Sequence, residues 1–200
     1  MTEQEERDLI ISAREGNQEA FDLLVRESDR LVLSQALNFT RDREKALDIY
    51  QETFLRAHRS LGQFRFDCRF STWMRKITTN VCLTEFSKEK RLNSRMFVNS
   101  QLAKPRSDGD VDPTPLDRAE SGIPDSFRQV ASGEIRGRIE QVIMELPPQQ
   151  RMVFVLRHFE GQKLKDIAGI LEIATGTAKK HLFEAIRKMR ESLREYEGLA

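Results

Sequence analysis

The chain has 200 residues, 38% of them hydrophobic and 32% charged, enough for one ordinary domain or two small ones with modest cores. Lys plus Arg (33) nearly equals Asp plus Glu (32), so the total gives no hint of a nucleic-acid partner and the distribution has to be read instead. Two cysteines, Cys68 and Cys82, and three scattered histidines exclude a disulfide framework and argue against a metal site.

The charge is unevenly placed. Residues 1–30 hold nine acids against four arginines, residues 63–95 eight bases against three acids, residues 104–125 three bases against six acids, and residues 151–195 ten bases against six acids. Two basic blocks are thus separated by an acidic one, a pattern that points to two cation-bearing surfaces. The acidic start MTEQEERDL has no apolar stretch behind it and is not a signal peptide. The apolar run Val153 to Leu156 is too short to span a bilayer. A cytoplasmic protein with reduced thiols is the simplest expectation.

Nearly every periodic segment repeats at helical spacing, so the fold class is all-α. Residues 5–14 and 17–39 read as helices, with Gly16-Asn17 marking the break. Residues 42–60 form the clearest one, because Ala46, Ile49, Tyr50, Thr53, Phe54, Ala57 and Leu61 follow the i, i+3, i+4 rule, and Gly62 is expected to end it. A further helix is expected to start at an N-cap of Ser71 or Thr72 and run to about Arg91, with Trp73, Ile77, Val81, Cys82 and Phe86 inside.

Residues 104–124 carry four prolines, two glycines and many acids, which is linker composition. The expected linker is 96–131, between modules at 1–95 and 132–200. At about 120 Å fully extended it lets the modules reach sites two DNA turns, roughly 70 Å, apart. In the second module Ile135, Ile139, Val142, Ile143 and Leu146 mark a helix stopped by Pro147-Pro148. Residues 149–159 form the next helix, closed by Gly161. Leu164 to Leu171 is a short helix, Glu172 to Ala174 a turn, and Thr175 to about Tyr196 a long helix.

This short helix, tight turn and long helix have the layout of a helix-turn-helix, with small Ala168 and Ala174 where the helices would approach. At 100° per residue, Ala178, Leu182, Ala185, Ile186, Met189 and Leu193 face the core. Thr177, Lys180, His181, Glu184 and Arg187 point away, with Lys179 and Phe183 on the flanks. Such a face suits the DNA major groove, and Thr175 and Thr177 beside free backbone N–H groups can hold a phosphate. Taken alone, the segment also fits a solvated basic face on a helical bundle.

The stretch FRFDCRFSTWMRK, Phe64 to Lys76, crowds three phenylalanines, three arginines and the single tryptophan together. Rings stack on unpaired bases and arginines neutralise phosphates, at about 1–3 kcal/mol per stacked base. That is the scale of the unstacking cost.

Residues 48–91 (beginning DIYQETFLRAHRSLGQFRF), the start GNQEAFDLLV and the C-terminal segment 145–189 together resemble regions 2 and 4 of bacterial RNA polymerase sigma factors of the extracytoplasmic-function type. The resemblance covers both modules; the linker has no counterpart. It implies two small helical domains, sigma region 2 and sigma region 4, and no cofactor, metal or catalytic residue. The implied function is an alternative sigma factor that binds core polymerase, recognises −35 and −10 elements and holds the melted −10 strand.

By resemblance, Asp48, Gln51, Glu52, Leu55, Arg56 and Arg59 grip the coiled coil of the polymerase largest subunit, while the flap region is a second core contact. Without the resemblance the same face would read as a salt-bridged solvated helix. The −10 set is Phe64, Arg65, Phe66, Asp67, Arg69, Trp73, Arg75, Lys76, Asn80, Thr84, Lys88 and Arg91. Residues 64–69 would receive an extruded base, Asn80 would read a base edge, and Arg75, Lys88, Lys90 and Arg91 would hold phosphates. Trp73 and Phe70 are expected in the core, with Trp73 reaching DNA by its edge.

The −35 set is Thr175, Gly176, Thr177, Lys179, Lys180, His181, Phe183, Glu184 and Arg187. Many relatives carry arginine where this chain has Glu184, and a second near Ile186, so the −35 sequence is open; Glu184 could accept from a cytosine amine. Expected partners are core polymerase, promoter DNA and an anti-sigma factor, through which the chain would be held at a membrane without inserting. Free protein is expected to bind promoter duplex poorly. The competing readings are a sigma mimic that captures an anti-sigma factor and a stand-alone helix-turn-helix regulator.

Overall fold

The structure, a computed structural model, describes residues 2–97 and 133–194, with side chains described at 2–89 and 137–194. The linker expected at 96–131 lies outside the described residues except for 96 and 97, which continue a helix. Among the described residues there are eight α-helices, one 3-10 turn and no strand.

Helix α1, Glu3–Arg14, starts in a capping box between Thr2 and Glu5. Gly16 adopts φ 95°, which a side chain would resist, and Asn17 then caps α2, Gln18–Thr40, by accepting from the Ala20 N–H at 3.2 Å. Asp42 caps α3, Arg43–Ser60. Gly62 does not stop α3 in a left-handed turn. The chain tightens into a 3-10 turn, Leu61–Gln63, whose Leu61 is buried, so packing of that side chain sets the exit.

Helix α4, Phe70–Phe97, begins earlier than expected, and Ser71 and Thr72 already lie inside it. The cap comes from another helix: the Phe70 N–H donates to Glu6 Oε1 of α1 at 3.0 Å. A 64-residue separation hides such a cap from any local pattern. Helix α5, Gly133–Glu145, ends before Pro147. Pro148 takes the first position of α6, Pro148–His158, where its missing N–H costs nothing. Gly161, at φ 65°, turns the chain into α7, Leu164–Leu171; Glu172, at φ 54°, turns it again into α8, Thr175–Leu193. Ala174 is exposed at the N-cap position of α8 and does not mediate a close helix approach.

Helix α2 is the axis of the first module, with α1, α3 and α4 packed around it. One core joins Ile10, Phe21, Leu24, Val32, Ala57, Leu61, Phe64, Phe70 and Met74. In the second module α5, α6 and α8 enclose Ile139, Val142, Ile143, Leu146, Phe154, Ala185 and Met189. A third core spans both: Ala36, Phe39, Ala46, Ile49, Val81 and Cys82 from the first meet Met152, Val153, Leu156, Ile167 and Ile170 from the second. The sequence predicts two tethered modules; the structure adds a shared junction where α2 and α4 meet α6 and α7.

Arg151 lies in this junction at 2% exposure. Its guanidinium sits over the rings of Phe39 (5.3 Å) and Phe86 (5.0 Å) and donates to the carbonyls of Phe39, Met144 and Leu146. A buried cation without such partners would be heavily penalised. Here rings and carbonyl dipoles replace water, while burial still lowers its pKa from the usual arginine value.

Candidate polymerase and promoter surfaces

Helix α3 buries Ala46, Ile49, Thr53 and Ala57, which turns Asp48, Gln51, Leu55 and Arg59 fully outward. Glu52 and Arg56 are half-buried beside them and pair at 2.7 Å, one turn apart. The Arg56 hydrogen bond holds the Glu52 carboxyl below its ordinary value. Leu55 is 52% exposed amid these charges. The face thus has a small apolar centre and a polar rim, suited to another helix. All six residues singled out on this helix share the surface.

The ring-rich loop resolves differently. Phe64 is 5% exposed, with its centroid 5.0 Å from Phe66, 5.9 Å from Phe70 and 5.2 Å from Trp73. Phe64 therefore cannot offer a stacking face as the loop stands. Its ring pins the loop to the core, and Phe70 (3%) and half-buried Trp73 do the same for the helix start. Phe66 is half-buried, at a left-handed φ of 59° that a bulky side chain rarely adopts, with the guanidiniums of Arg7 and Arg14 4.7 and 4.8 Å from its centroid. Arg14 also donates to the carbonyls of Leu61 (2.9 Å) and Phe64.

What the loop exposes is Arg65, Asp67, Cys68 and Arg69. Arg69 lies 3.7 Å from Glu6. Partial burial of its sulfur and the neighbouring Asp67 raise the Cys68 thiol pKa above its ordinary value. Cys82 is fully buried, and desolvation pushes its thiol up further.

On α4, Asn80, Leu83, Thr84, Ser87 and Lys88 line one open groove of about 480 Å³. Asn80, Thr84 and Lys88 are thereby brought together; Lys88 is paired with Glu85 at 2.6 Å. Arg75 and Lys76 point elsewhere, into the junction, where they meet Glu160 and Glu172. Lys90 and Arg91 lie outside the residues whose side chains are described.

Helix α8 begins at Thr175, and Ala174 at its N-cap position offers no side-chain cap, so its first N–H groups point past exposed Thr175, Gly176 and Thr177. Lys179 and Lys180 are exposed. Phe183, expected on a flank, is 66% exposed, the most open of the large apolar side chains described. Glu184 is half-buried and accepts from Gln150 of α6 at 2.6 Å, with Lys180 at 3.9 Å. Its carboxylate braces α8 against α6 and is not free to meet a base. His181 is half-buried, with no protein hydrogen bond to its buried Nδ1. Arg187 is exposed, 3.8 Å from Glu191.

Three residues that sequence reasoning missed shape these surfaces: Glu6, Arg151 and Glu160. Each acts across more than 60 residues of chain. The one local signal was Glu160 and Arg151 standing beside otherwise apolar helical turns.

No helix among the described residues is long and apolar enough to cross a membrane, and none of them form a group of three or more His, Cys, Asp or Glu able to hold a metal. A profile of Sigma-70 region 2 matches residues 24–92 and one of Sigma-70, region 4 matches 136–189, together more than half the chain. The chain is 29% identical over 193 residues to the RNA polymerase sigma-H factor of Pseudomonas aeruginosa, covering 96% of both. It is also 29% identical over 182 residues to the ECF RNA polymerase sigma-E factor of Escherichia coli K12, covering 88% of both. Among solved structures, the sigma factor RpoE of Bartonella quintana, in complex with the anti-sigma factor NepR, superposes with TM-score 0.60 at 21% identity over 87% of this chain and 96% of that one. CnrH, in complex with the cytosolic domain of CnrY, superposes with TM-score 0.60 at 20% identity over 96% of this chain and 99% of that one. With both regions present, in order and in the matching fold, this chain belongs to the sigma-70 family, in its extracytoplasmic-function branch, and directs transcription initiation as an alternative sigma factor.

Proposed function

We propose that the two modules divide the work of initiation. The α3 face of Asp48, Gln51, Glu52, Leu55, Arg56 and Arg59 takes the coiled coil of the polymerase largest subunit. The loop at Arg65, Asp67 and Arg69, the α4 groove at Asn80, Thr84 and Lys88, and the cations Arg75, Lys76 and Arg91 take the −10 element. The uncapped start of α8 takes the −35 element, with Thr175, Gly176 and Thr177 on phosphate and Lys179, Lys180, Phe183 and Arg187 in the groove. The chain performs no chemistry of its own and works in the cytoplasm.

The observation that carries this reading is the pairing of an exposed Leu55, ringed by charge on α3, with an open groove on the adjacent α4 that gathers Asn80, Thr84 and Lys88. A stand-alone DNA regulator needs no such helix-docking face, and a mimic needs no groove. The proposal departs from the sequence expectation at Phe64, Phe66 and Trp73, which act by holding the loop, and at Glu184, which braces α8. An anti-sigma partner is supported by the two solved relatives, each seen in complex with one or with another protein's cytosolic domain.

Run-off transcription with purified core polymerase is the test. Transcripts are expected only when this chain is added, and they should vanish when Asn80 and Lys88 are replaced together by alanine while core binding persists. Core-dependent binding without transcripts from any genomic template would favour the mimic.

A further inference from the structure

We infer that helix α1 is a working part of the −10 surface: Arg7 holds a backbone phosphate of the unpaired strand, and Phe66 is the platform that presents it. The inference rests on the reading of loop 64–69 as a −10 loop. Helix α1, Glu3–Arg14, lies outside residues 24–92, the span that matches region 2.

Helix α1 runs along the whole loop. At one end Glu6 accepts from the Phe70 N–H at 3.0 Å. At the other, Arg14 donates through Nε to the Leu61 carbonyl at 2.9 Å and through Nη2 to the Phe64 carbonyl. Arg7 and Arg14 stand about two helical turns apart, on one face. Their guanidinium carbons lie 4.7 and 4.8 Å from the centroid of the Phe66 ring. Phe66 keeps this place at φ 59°, a backbone state that a bulky residue holds only where its surroundings impose it.

The two arginines are used differently. Arg14 commits two of its nitrogens to loop carbonyls and is a positioning residue. Arg7 is exposed, and among the described residues it has neither a hydrogen bond nor an ion pair; the ring is its contact. Its neighbour Glu6 is already engaged by the Phe70 N–H and by Arg69 at 3.7 Å. A guanidinium held over a ring keeps its N–H fork free, and that fork matches two phosphate oxygens.

Bracing alone does not account for Arg7. Arg14 already pins the loop by two hydrogen bonds. A second guanidinium at the same ring adds like-charge repulsion, which an incoming anion relieves. The surroundings favour an anion too: Arg7, Arg14, Arg65 and Arg69 are exposed there, against exposed Asp67 and half-buried Glu6. A strand that delivers a base to this loop carries a phosphodiester on each side of that base, so a phosphodiester is the anion the site would meet.

The test uses holoenzyme assembled from the full chain and purified core polymerase, bound to a forked duplex with a single-stranded −10 segment. Each phosphate of that segment is replaced in turn by a neutral methylphosphonate. Arg7→Gln should weaken binding to the unmodified fork about 5-fold and flatten the slope of log affinity against log salt by about 0.7, the value for one single-strand phosphate. One linkage should cost the parent holoenzyme affinity and cost the Arg7→Gln holoenzyme nothing further, while the other linkages behave alike in both. Phe66→Asn removes the platform with a residue that accepts the left-handed backbone, and it should blunt sensitivity at that same linkage. Competition with the parent chain for core polymerase confirms that both variants are folded.

Sensitivities equal to the parent's at every linkage in Arg7→Gln would overturn the inference. So would a uniform loss at all linkages, the signature of a displaced loop. Full sensitivity retained in Phe66→Asn would overturn it as well, because Arg7 would then need no platform. If the parent chain gives core polymerase no preference for the fork over closed duplex, the −10 reading itself falls, and this inference falls with it.

Discussion

The Glu6 carboxylate of α1 accepts the Phe70 N–H of α4 at 3.0 Å and lies 3.7 Å from the Arg69 guanidinium. One acid near the N-terminus thus closes the loop 64–69 at its far end. Glu6→Ala is expected to lower stability by about 1 kcal/mol, or 2–4 °C in melting temperature. Core binding should be unchanged, while promoter opening, followed by permanganate reactivity, should fall because the loop loses its anchor. Unchanged opening would mean that the loop holds its shape without α1.

Phe64 and Arg65 are neighbours with opposite duties. Phe64→Ala removes a buried ring and should cost about 3–5 kcal/mol in urea unfolding. Arg65→Ala should stay within about 0.5 kcal/mol of the parent, yet reduce affinity for single-stranded −10 DNA and flatten its salt dependence by about one contact. Equal stability losses for the two variants would contradict the burial described above.

Leu55 carries the docking prediction. At 52% exposure its loss should leave the fold intact. Leu55→Asp places a charge at the apolar centre of the α3 face and should weaken core polymerase binding about 30-fold or more, the scale of an interface hot spot. Competition for core against a second sigma factor measures this, with thermal unfolding as the control.

Phe183 projects from α8 with 66% of its surface open. An aromatic side chain there can rest on a thymine methyl in the major groove. Replacing thymine by uracil in the −35 duplex should weaken binding by wild-type holoenzyme several-fold, and Phe183→Ala should abolish the difference without altering stability. A preference for thymine that survives the substitution would remove Phe183 from the reading surface.

His158 supplies a pH dependence. Its ring centroid lies 4.6 Å from that of Phe154, the two planes tilted by 37°, and its buried Nε2 has no hydrogen-bond partner. Burial, helped by adjacent Arg157, lowers its pKa below 6.5. The unfolded chain therefore takes up the proton first as the pH falls. Stability should be constant above about pH 7, decline once the pH passes 6.5, and level off below the folded pKa. His158→Gln should remove this contribution, and urea titrations at pH 7.5 and 5.5 give the comparison.

Most of the architecture was legible because helical periodicity is local. The inward stripe of α3 and the boundaries of α7 are written in spacings of three and four residues. The errors share one cause, which is distance along the chain. The cap of α4 comes from Glu6, so Ser71 and Thr72 looked like the better candidates. Phe64 reads as a loop residue until Phe70 and Trp73 fold back over it. Glu184 looks like a free outward acid until Gln150 reaches it from α6. Charge and resemblance point to the two candidate surfaces, but the junction between them depends on contacts of high sequence separation.

Arg151 has a practical consequence for anyone dividing this chain. Its guanidinium rests against rings supplied by the opposite half, so a fragment ending in the linker would leave Phe39, Ala36 and Val81 facing solvent, and the complementary fragment would present Met152 and Ile170. Each piece produced separately should be sticky and prone to self-association, and mixing the two should restore monodisperse behaviour by recreating the cage around that one cation.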